Sequence, residues 1–549
     1  MNLNKLLTAL RQRKNTPARN QQAERRERYT HALEQFLDGH QPAVRLGGAY
    51  TLANLADEWL TDASLPEQVR IEEAQTIIDA LTGCIRTPYP LAQKRQILES
   101  GDAPEEYEGD FTRDQEALRE EQLVRRTVFM EFSRRLAAVA ESNKTGNGDS
   151  QHTVPPISPM WADLRFDFGG APIFYPLRQL HFQNADFASA TFYGPADFSG
   201  ATFHGDTSFS AAQFTADASF QGANFNDWVG FSAAHFAGAA ELSGARFADA
   251  ASFATVTFTG EADFSDAVFS AAADFAVASF ESDANFSRLT TAGIASFAAV
   301  TFDGKAVFTA STFHDEAHFA ASVFNHPAVF SKSLFGGTAR FAGIATKQSA
   351  MFRGTSFAGA ADFSGASFTQ YEDFGGARFD GDATFSRASF IALPRTSYED
   401  MDFPQRANFD KVTFAQDADF SKATFTAFVG FRRVTFAGAV SFNGASFEGA
   451  YFEDATFGQG ADFRQTSFAY VEPSFGGSKS QPQGARFSAQ ANPQDYLFEA
   501  RPESAHGFSC GEAELLNRTF VLPVGAVLYD PNSWDEEQQE YTRISEPAK

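Results

Sequence analysis

Between residues 187 and 390, large apolar side chains return at intervals of five and six residues in alternation. Stepping by eleven from Phe187 to Phe385 meets 19 positions, of which 18 are Phe and one is Leu242. A second series, offset by five, runs from Phe192 to Phe390 and holds 17 Phe in 19 positions, the exceptions being Thr291 and Thr346. A helix cannot generate this pattern, because a 3.6-residue period does not keep positions five and six apart on one face over so long a stretch. Short strands joined by corners can. Two residues ahead of nearly every ladder position stands a small or β-branched residue, such as Ala185, Ala190, Ala196, Ala262, Val256 or Val412. Strand alternation puts both on one side, so each short strand offers the interior one ring and one filler, and rings stack from coil to coil at ~4.8 Å. The residues between them are predicted to face solvent. Where the ladder carries Thr291 or Thr346, the earlier slot carries Leu289 or Ile344. Large and small partners are exchanged with their joint volume kept, as close packing requires.

After Phe390 the pattern slips by two residues and resumes at Tyr398, Phe403, Phe409, Phe414 and onward, then loses one residue before Phe452 and fades after Phe468. Upstream, windows 21–37, 43–59, 67–81 and 113–139 show apolar residues at three- and four-residue spacing without internal Pro, which predicts helices. The resulting organisation is a helical region over 1–140, a low-complexity linker over 141–161, a repeat region over 162–475 with its regular part at 182–468, and a loop and cap over 476–549. Asn143, Gly146, Gly148, Pro155, Pro156 and Pro159 mark the linker. Open coil ends invite edge-to-edge growth and need covers, for which 1–150 and 470–549 are the candidates. Within the latter, 476–494 reads as an exposed loop, Phe520-Val521-Leu522 and Ala526-Val527-Leu528 as strand, and 534–549 as a loosely attached end.

Ala185-Asp186-Phe187-Ala188-Ser189, Ala262-Asp263-Phe264-Ser265-Asp266 and Ala361-Asp362-Phe363-Ser364-Gly365 resemble the A-(D/N)-(L/F)-x-x unit of the pentapeptide-repeat family, over roughly 182–468. The resemblance implies a mainly β chain whose repeats wind into a right-handed, four-sided β-helix, preceded here by an all-α region. Phe stands for the more usual Leu, and every second unit has six residues, so a coil would take 22 residues instead of 20. About 13 coils then give a rod on the order of 60 Å long. Arg45-Leu46-Gly47-Gly48-Ala49-Tyr50, followed by Leu52, Leu55 and Ala56, resembles a HEAT-like helix of the kind that precedes such repeats in some bacterial proteins.

Composition agrees with one structural slot filled repeatedly: there are 62 Phe against 13 Tyr and 4 Trp. The formal net charge of -25 disfavours direct nucleic-acid binding, which needs a basic surface. Residues 1–150 hold 20 Lys and Arg against 24 Asp and Glu, leaving 24 and 45 for the rest, so the acidity belongs to the C-terminal two-thirds. Two cysteines, Cys84 and Cys510, support neither a disulfide framework nor a thiolate zinc site and suit a cytoplasmic protein. No signal peptide and no membrane span are read.

No nucleotide-binding, nucleophile-elbow or zinc-protease motif occurs, and no cofactor, metal or catalytic residue is assigned. His314-Asp315-Glu316-Ala317-His318 looks like a ligand cluster, but both histidines fall in ordinary solvent slots. Four residues stand out as contact candidates. Glu372 occupies an inward slot otherwise held by Ala, Val, Thr or Ser, and a bulge that turns it outward under Tyr371 would relieve its burial. Trp228 and Phe428 share a local pattern in which an additional aromatic lies at an outward or corner position, open to a partner or packed on a neighbouring segment. The function expected is that of a non-enzymatic scaffold or adaptor for another protein, with a homodimer left open. The alternative is a DNA-mimicking protein that binds a topoisomerase such as DNA gyrase, as several members of the resembled family do.

Overall fold

The computed structural model describes residues 17–38, 41–144, 159–177, 180–391, 407–477 and 483–549. Most strands of the repeats are only two or three residues long, so their amides donate to carbonyls one coil away. Pairing is parallel with a register of 22: Ala196 lies beside Ala218 and Ala218 beside Ala240, just as Ala306 lies beside Ala328 and Ala328 beside Ala350. One coil contributes four strands, for example Ala196–Asp197, Thr202–His204, Thr207–Ser208 and Gln213–Phe214. The fold is therefore a parallel β-solenoid with four-sided coils.

Twenty-two residues divide as five, six, five and six because two kinds of corner alternate. After each ring of the first ladder the chain turns tightly: the Ala190 amide donates to the Phe187 carbonyl at 3.0 Å, with Ser189 at φ +57 between them. After each ring of the second ladder the corner is wider, as at Tyr193-Gly194-Pro195, and holds the sixth residue. The tight corners place a residue in the left-handed region every eleven positions, and many are not glycine, including Thr255, Val277 and Lys332 at φ +58, +61 and +62. Asp or Asn one position before the ring supports these turns. Asp186 accepts the Ala188 amide at 2.8 Å, Asp263 that of Ser265 at 2.9 Å and Asp362 that of Ser364 at 2.8 Å. The repeated acid is thus a side-chain bridge that completes a tight corner.

Inside, the ladder rings from Phe187 to Phe390 are 0–2 % exposed. Phe264 stacks on Phe286 one coil on at 5.0 Å and meets Phe275 edge to face at 5.2 Å, both favoured arrangements of the aromatic quadrupole. Leu289, Thr291, Ile344 and Thr346 are all buried, as the exchanged pairs require.

The slip after Phe390 differs from the sequence expectation. Phe368 stacks on Phe390, 22 residues on, but Phe374 stacks on Phe409 and Glu372 pairs with Ala407, each 35 residues on. The register across this coil is therefore 13 residues longer than the usual 22. Tyr398 and Phe403, read as ladder members, lie outside the described residues. Farther on, two successive corners run straight: Thr424–Gly430 and Ser446–Tyr451 are single paired strands, and the residue lost before Phe452 shows as a register shift between Phe425 and Phe428.

The chain forms two compact units, Met1–Asp249 and Ala250–Lys549. The first contains helices α1 (Pro17–Phe36), α2 (Pro42–Thr61), α3 (Glu67–Arg86), the short α4 (Arg95–Leu98) and α5 (Phe111–Lys144), followed by the first coils. At Gly48 of α2 a Cβ would stand 2.5 Å from the Phe36 amide nitrogen, so glycine permits the close approach to α1. Helix α5 covers the first coil: Phe129 stacks on Phe168 at 4.6 Å, and Phe132 lies 5.0 Å from Phe166. Residues 145–158 of the expected linker lie outside the described residues.

In the second unit the last rings are covered by Phe475, Phe498 and Phe508, and by a hairpin of Cys510–Leu515 with Arg518–Pro523 whose Ala513, Phe520 and Leu522 are buried. Two expectations for this segment change. Arg486–Ser488, inside the stretch read as loop, is a strand paired with both Thr456–Phe457 and Val527–Tyr529, while 478–482 lie outside the described residues. The end of the chain is not loose: the Ser545 amide donates to Leu528, that of Ala548 to Ala526, and Ala548 is 1 % exposed. These bonds satisfy the free edge of Val527–Tyr529. Among the described residues no helix is long and apolar enough to cross a membrane.

Candidate functional site

Polar chemistry is concentrated in a few places. In the helical region Glu121 accepts from both Arg45 and Arg125, and Arg125 also donates to the Ile85 and Thr87 carbonyls. Burial alone would push the Glu121 carboxyl up, but the two guanidiniums hold it below the usual range. Burial, reinforced by Glu121, pushes the Tyr89 phenol up to about 12, and burial raises the Cys84 thiol. The charges of this cluster satisfy one another, and it joins α2, α3 and α5. Glu121 and Arg125 are one helical turn apart, but Arg45, Ile85 and Thr87 are distant in sequence, and periodicity gave no signal that they meet.

On the solenoid, His314 is exposed, and His318 lies 2.8 Å from Glu316 and 2.9 Å from Arg340 of the next rung. Among the described residues no group of three or more His, Cys, Asp or Glu is placed to hold a metal ion.

Trp228 is 38 % exposed at a wide corner, and its seat is made by Gly230, where a Cβ would meet the indole at 2.4 Å. The neighbouring rung has Ser208 in that slot, so glycine clears room for the ring to lie along the outside. Phe428 is half-buried instead. It stacks on Tyr451 at 5.9 Å and lies over Gly449, where a Cβ would be 2.7 Å from Phe428 and 2.6 Å from Val471. The Arg432 guanidinium covers the other part of this outer cluster, 4.4 Å from the Tyr451 ring.

Glu372 does not turn outward. It is 1 % exposed and pairs in register with Ala350 and Ala407, so the expected bulge is absent. A bulge would forfeit the bonds from Ala350 to the Tyr371 carbonyl and from Phe352 to the Asp373 carbonyl, 3.0 and 2.7 Å long. Tyr371 stands 37 % exposed at the corner before it. Asp373 gathers the Arg353 guanidinium, the Asn408 amide and the Gly375 amide, each at 2.8 Å. Burial raises the Tyr371 phenol, and the Asp373 charge acts in the same sense. The coil thus brings Tyr371 and Glu372 together with three polar neighbours that spacing alone did not single out.

A family model described as pentapeptide repeats in nine copies matches residues 187–235, 231–279, 399–446 and 420–467. No curated protein and no solved structure matches the chain.

Proposed function

From the premise that this chain is a pentapeptide-repeat protein, we propose that it is a non-enzymatic scaffold or adaptor whose outer faces bind another protein. The observation that carries this reading is the filled interior. Rings 0–2 % exposed occupy the coils, and packed aromatics cover their first and last rungs, so side chains free for contact stand on the sides. Trp228 and Tyr371 are the contact residues of this reading, because each holds a large ring partly in water on a rigid support. Phe428 serves instead to hold the outer cluster with Tyr451, and Glu372 to shape the corner under Tyr371. A cytoplasmic setting suits the two free thiols, Cys84 and Cys510.

The experiment is site-specific photo-crosslinking in the native cell with full-length protein carrying a photoreactive phenylalanine analogue at Trp228 or Tyr371. A discrete adduct with another protein is expected at one or both. A chain that stays unadducted at both would overturn the reading. Acidity favours DNA mimicry as a second reading, although the corner bridges give Asp186, Asp263 and Asp362 a structural duty independent of any partner. A gyrase supercoiling assay unaffected by excess protein removes it.

A further inference from the structure

One outward row of the second unit changes character over three consecutive rungs. Reading along it, the residues paired from coil to coil are Asp263, Asn285, Val307, Val329, Met351, Asp373 and Asn408. Asp and Asn in this row bridge tight corners, as Asp263, Asn285, Asp373 and Asn408 do. Val307, Val329 and Met351 forgo that bridge and set an apolar strip on the outside. The corners they leave unbridged still turn, with Ala310 and Lys332 at φ +58 and +62. Three rungs therefore give up a stabilising side-chain bond in favour of apolar surface.

The charge changes on the same rungs. Between Lys144 and Lys411 the chain has three lysines, Lys305, Lys332 and Lys347. Each stands at a corner of one of these rungs, and all three are exposed. Lys305 and Lys347 border the strip at the wide corners and Lys332 borders it at a tight one. The one acid at these corners, Asp303, takes the Asn325 amide. Tyr371 stands at the wide corner of the rung that follows. In a chain of net charge -25, an apolar strip bordered by cations is local and specific.

We infer that Val307, Val329 and Met351, bordered by Lys305, Lys332 and Lys347, form a docking strip for an acidic polypeptide segment that carries apolar side chains. This rests on the protein-binding function proposed above and names the surface and the chemistry of the partner. The strip spans roughly 10 Å across three rungs, which matches about three residues of extended chain. Apolar contact supplies affinity along the strip, and carboxylates on the segment meet lysines on either margin. An anionic membrane is the other class that apolar and cationic groups attract. A bilayer is broad, and it would bring Asp263 of the same row and the exposed Asp303 of the wide corner against its headgroups. A narrow segment meets only the strip.

The test selects peptides from a random phage-displayed library on the full-length protein, then measures them on wild type, Val329→Asp and Lys332→Gly. Both variants keep the fold, since aspartate fills the same slot of the row at Asp263 and Asp373 and glycine suits the left-handed backbone at 332. Selected sequences should combine Asp or Glu with Leu, Ile or Phe. They should weaken about tenfold or more on Val329→Asp, weaken less on Lys332→Gly, and bind less tightly at high salt. Peptides that bind Val329→Asp and wild type alike overturn this site and leave the broader protein-binding reading standing. Basic selected sequences overturn it as well. So does binding to phosphatidylcholine vesicles containing phosphatidylglycerol that Val329→Asp abolishes, which would assign the strip to a membrane. Absence of any selected peptide also overturns it, and crosslinking at Trp228 and Tyr371 then decides the broader reading separately.

Discussion

Arg125 in the helices and Phe264 in the coils are both buried, at 2 % and 0 % exposure, yet their surroundings differ in kind. Arg125 is held by a carboxylate one turn back on its own helix and by two carbonyls at the end of another, each a specific partner. Phe264 is held by rings like itself, at 5.0 Å along its stack and 5.2 to 5.8 Å across the coil. The helical core is therefore a set of individual matches, in which the loss of one partner strands another. The coil core is a sum of nearly identical contacts between neighbouring rungs, so damage should stay local.

Phe264→Ala is the strongest way to break the coil side of this comparison. The cavity should cost about 3–5 kcal/mol in guanidinium unfolding, and amides on the rungs next to Phe264 should lose hydrogen-exchange protection first. Asp263→Ala, which removes a corner bridge and no core volume, should cost only about 1 kcal/mol. Equal losses would contradict the faces assigned to the two residues. On the helical side, Glu121→Gln leaves Arg45 and Arg125 buried beside a neutral group and should cost about 3 kcal/mol at neutral pH. Because the Glu121 pKa is lowered on folding, its contribution is present above the unfolded value near 4.3 and is lost as pH falls through the folded one. The difference between wild type and Glu121→Gln should therefore shrink below about pH 4. A constant difference across that range would remove the ion cluster as its source.

The exchanged pair sharpens the additive picture of the coils. Leu289→Ala should cost about 2–4 kcal/mol by cavity formation, and Thr291→Phe alone should strain the same rung by overpacking. Together they recreate the usual ring and filler, so the double variant should recover most of the loss, with a coupling of about 2–3 kcal/mol in a double-mutant cycle. Additive losses would show that the two side chains do not share one volume.

The ladder, its inward fillers and this exchange were legible in the sequence because each is a period, and a period survives without coordinates. The corner bridges were visible only as a recurrent Asp, since nothing in spacing says that Asp263 accepts the Ser265 amide. The thirteen added residues after Phe390 misled for a specific reason. They equal one eleven-residue step plus two, so spacing alone reads a slip of two where Glu372 pairs with Ala407, 35 residues on. Glu372 was singled out correctly as an anomaly of its slot, but the hydrogen bonds that forbid a bulge depend on the neighbouring rung. The meeting of Arg45 with Glu121, the docking of Arg125 on Ile85 and Thr87, and the tethered end at Ala548 rest on partners chosen by the fold, which no local pattern encodes.

The smallest expected effect tests whether the corners, rather than the core, set what remains of the coil's stability. Val277 sits at φ +61 with its side chain 60 % exposed, so it gains little packing from a conformation that crowds its β-carbon. The left-handed backbone costs a residue other than glycine roughly 1–2 kcal/mol, while glycine loses about 0.5–1 kcal/mol more chain entropy on folding. Val277→Gly should therefore stabilise the protein by about 0.5–1 kcal/mol, an unusual sign for removing an apolar side chain from a repeat. Gly365 occupies the equivalent corner four coils on, at φ +61, and a Cβ added there meets nothing within 4 Å. Gly365→Val should thus destabilise by a similar amount through the backbone alone. Opposite signs for the two exchanges, measured by thermal unfolding, would place the strain in the corners. The same sign for both would mean that side-chain packing on the outer face, not backbone conformation, governs these positions.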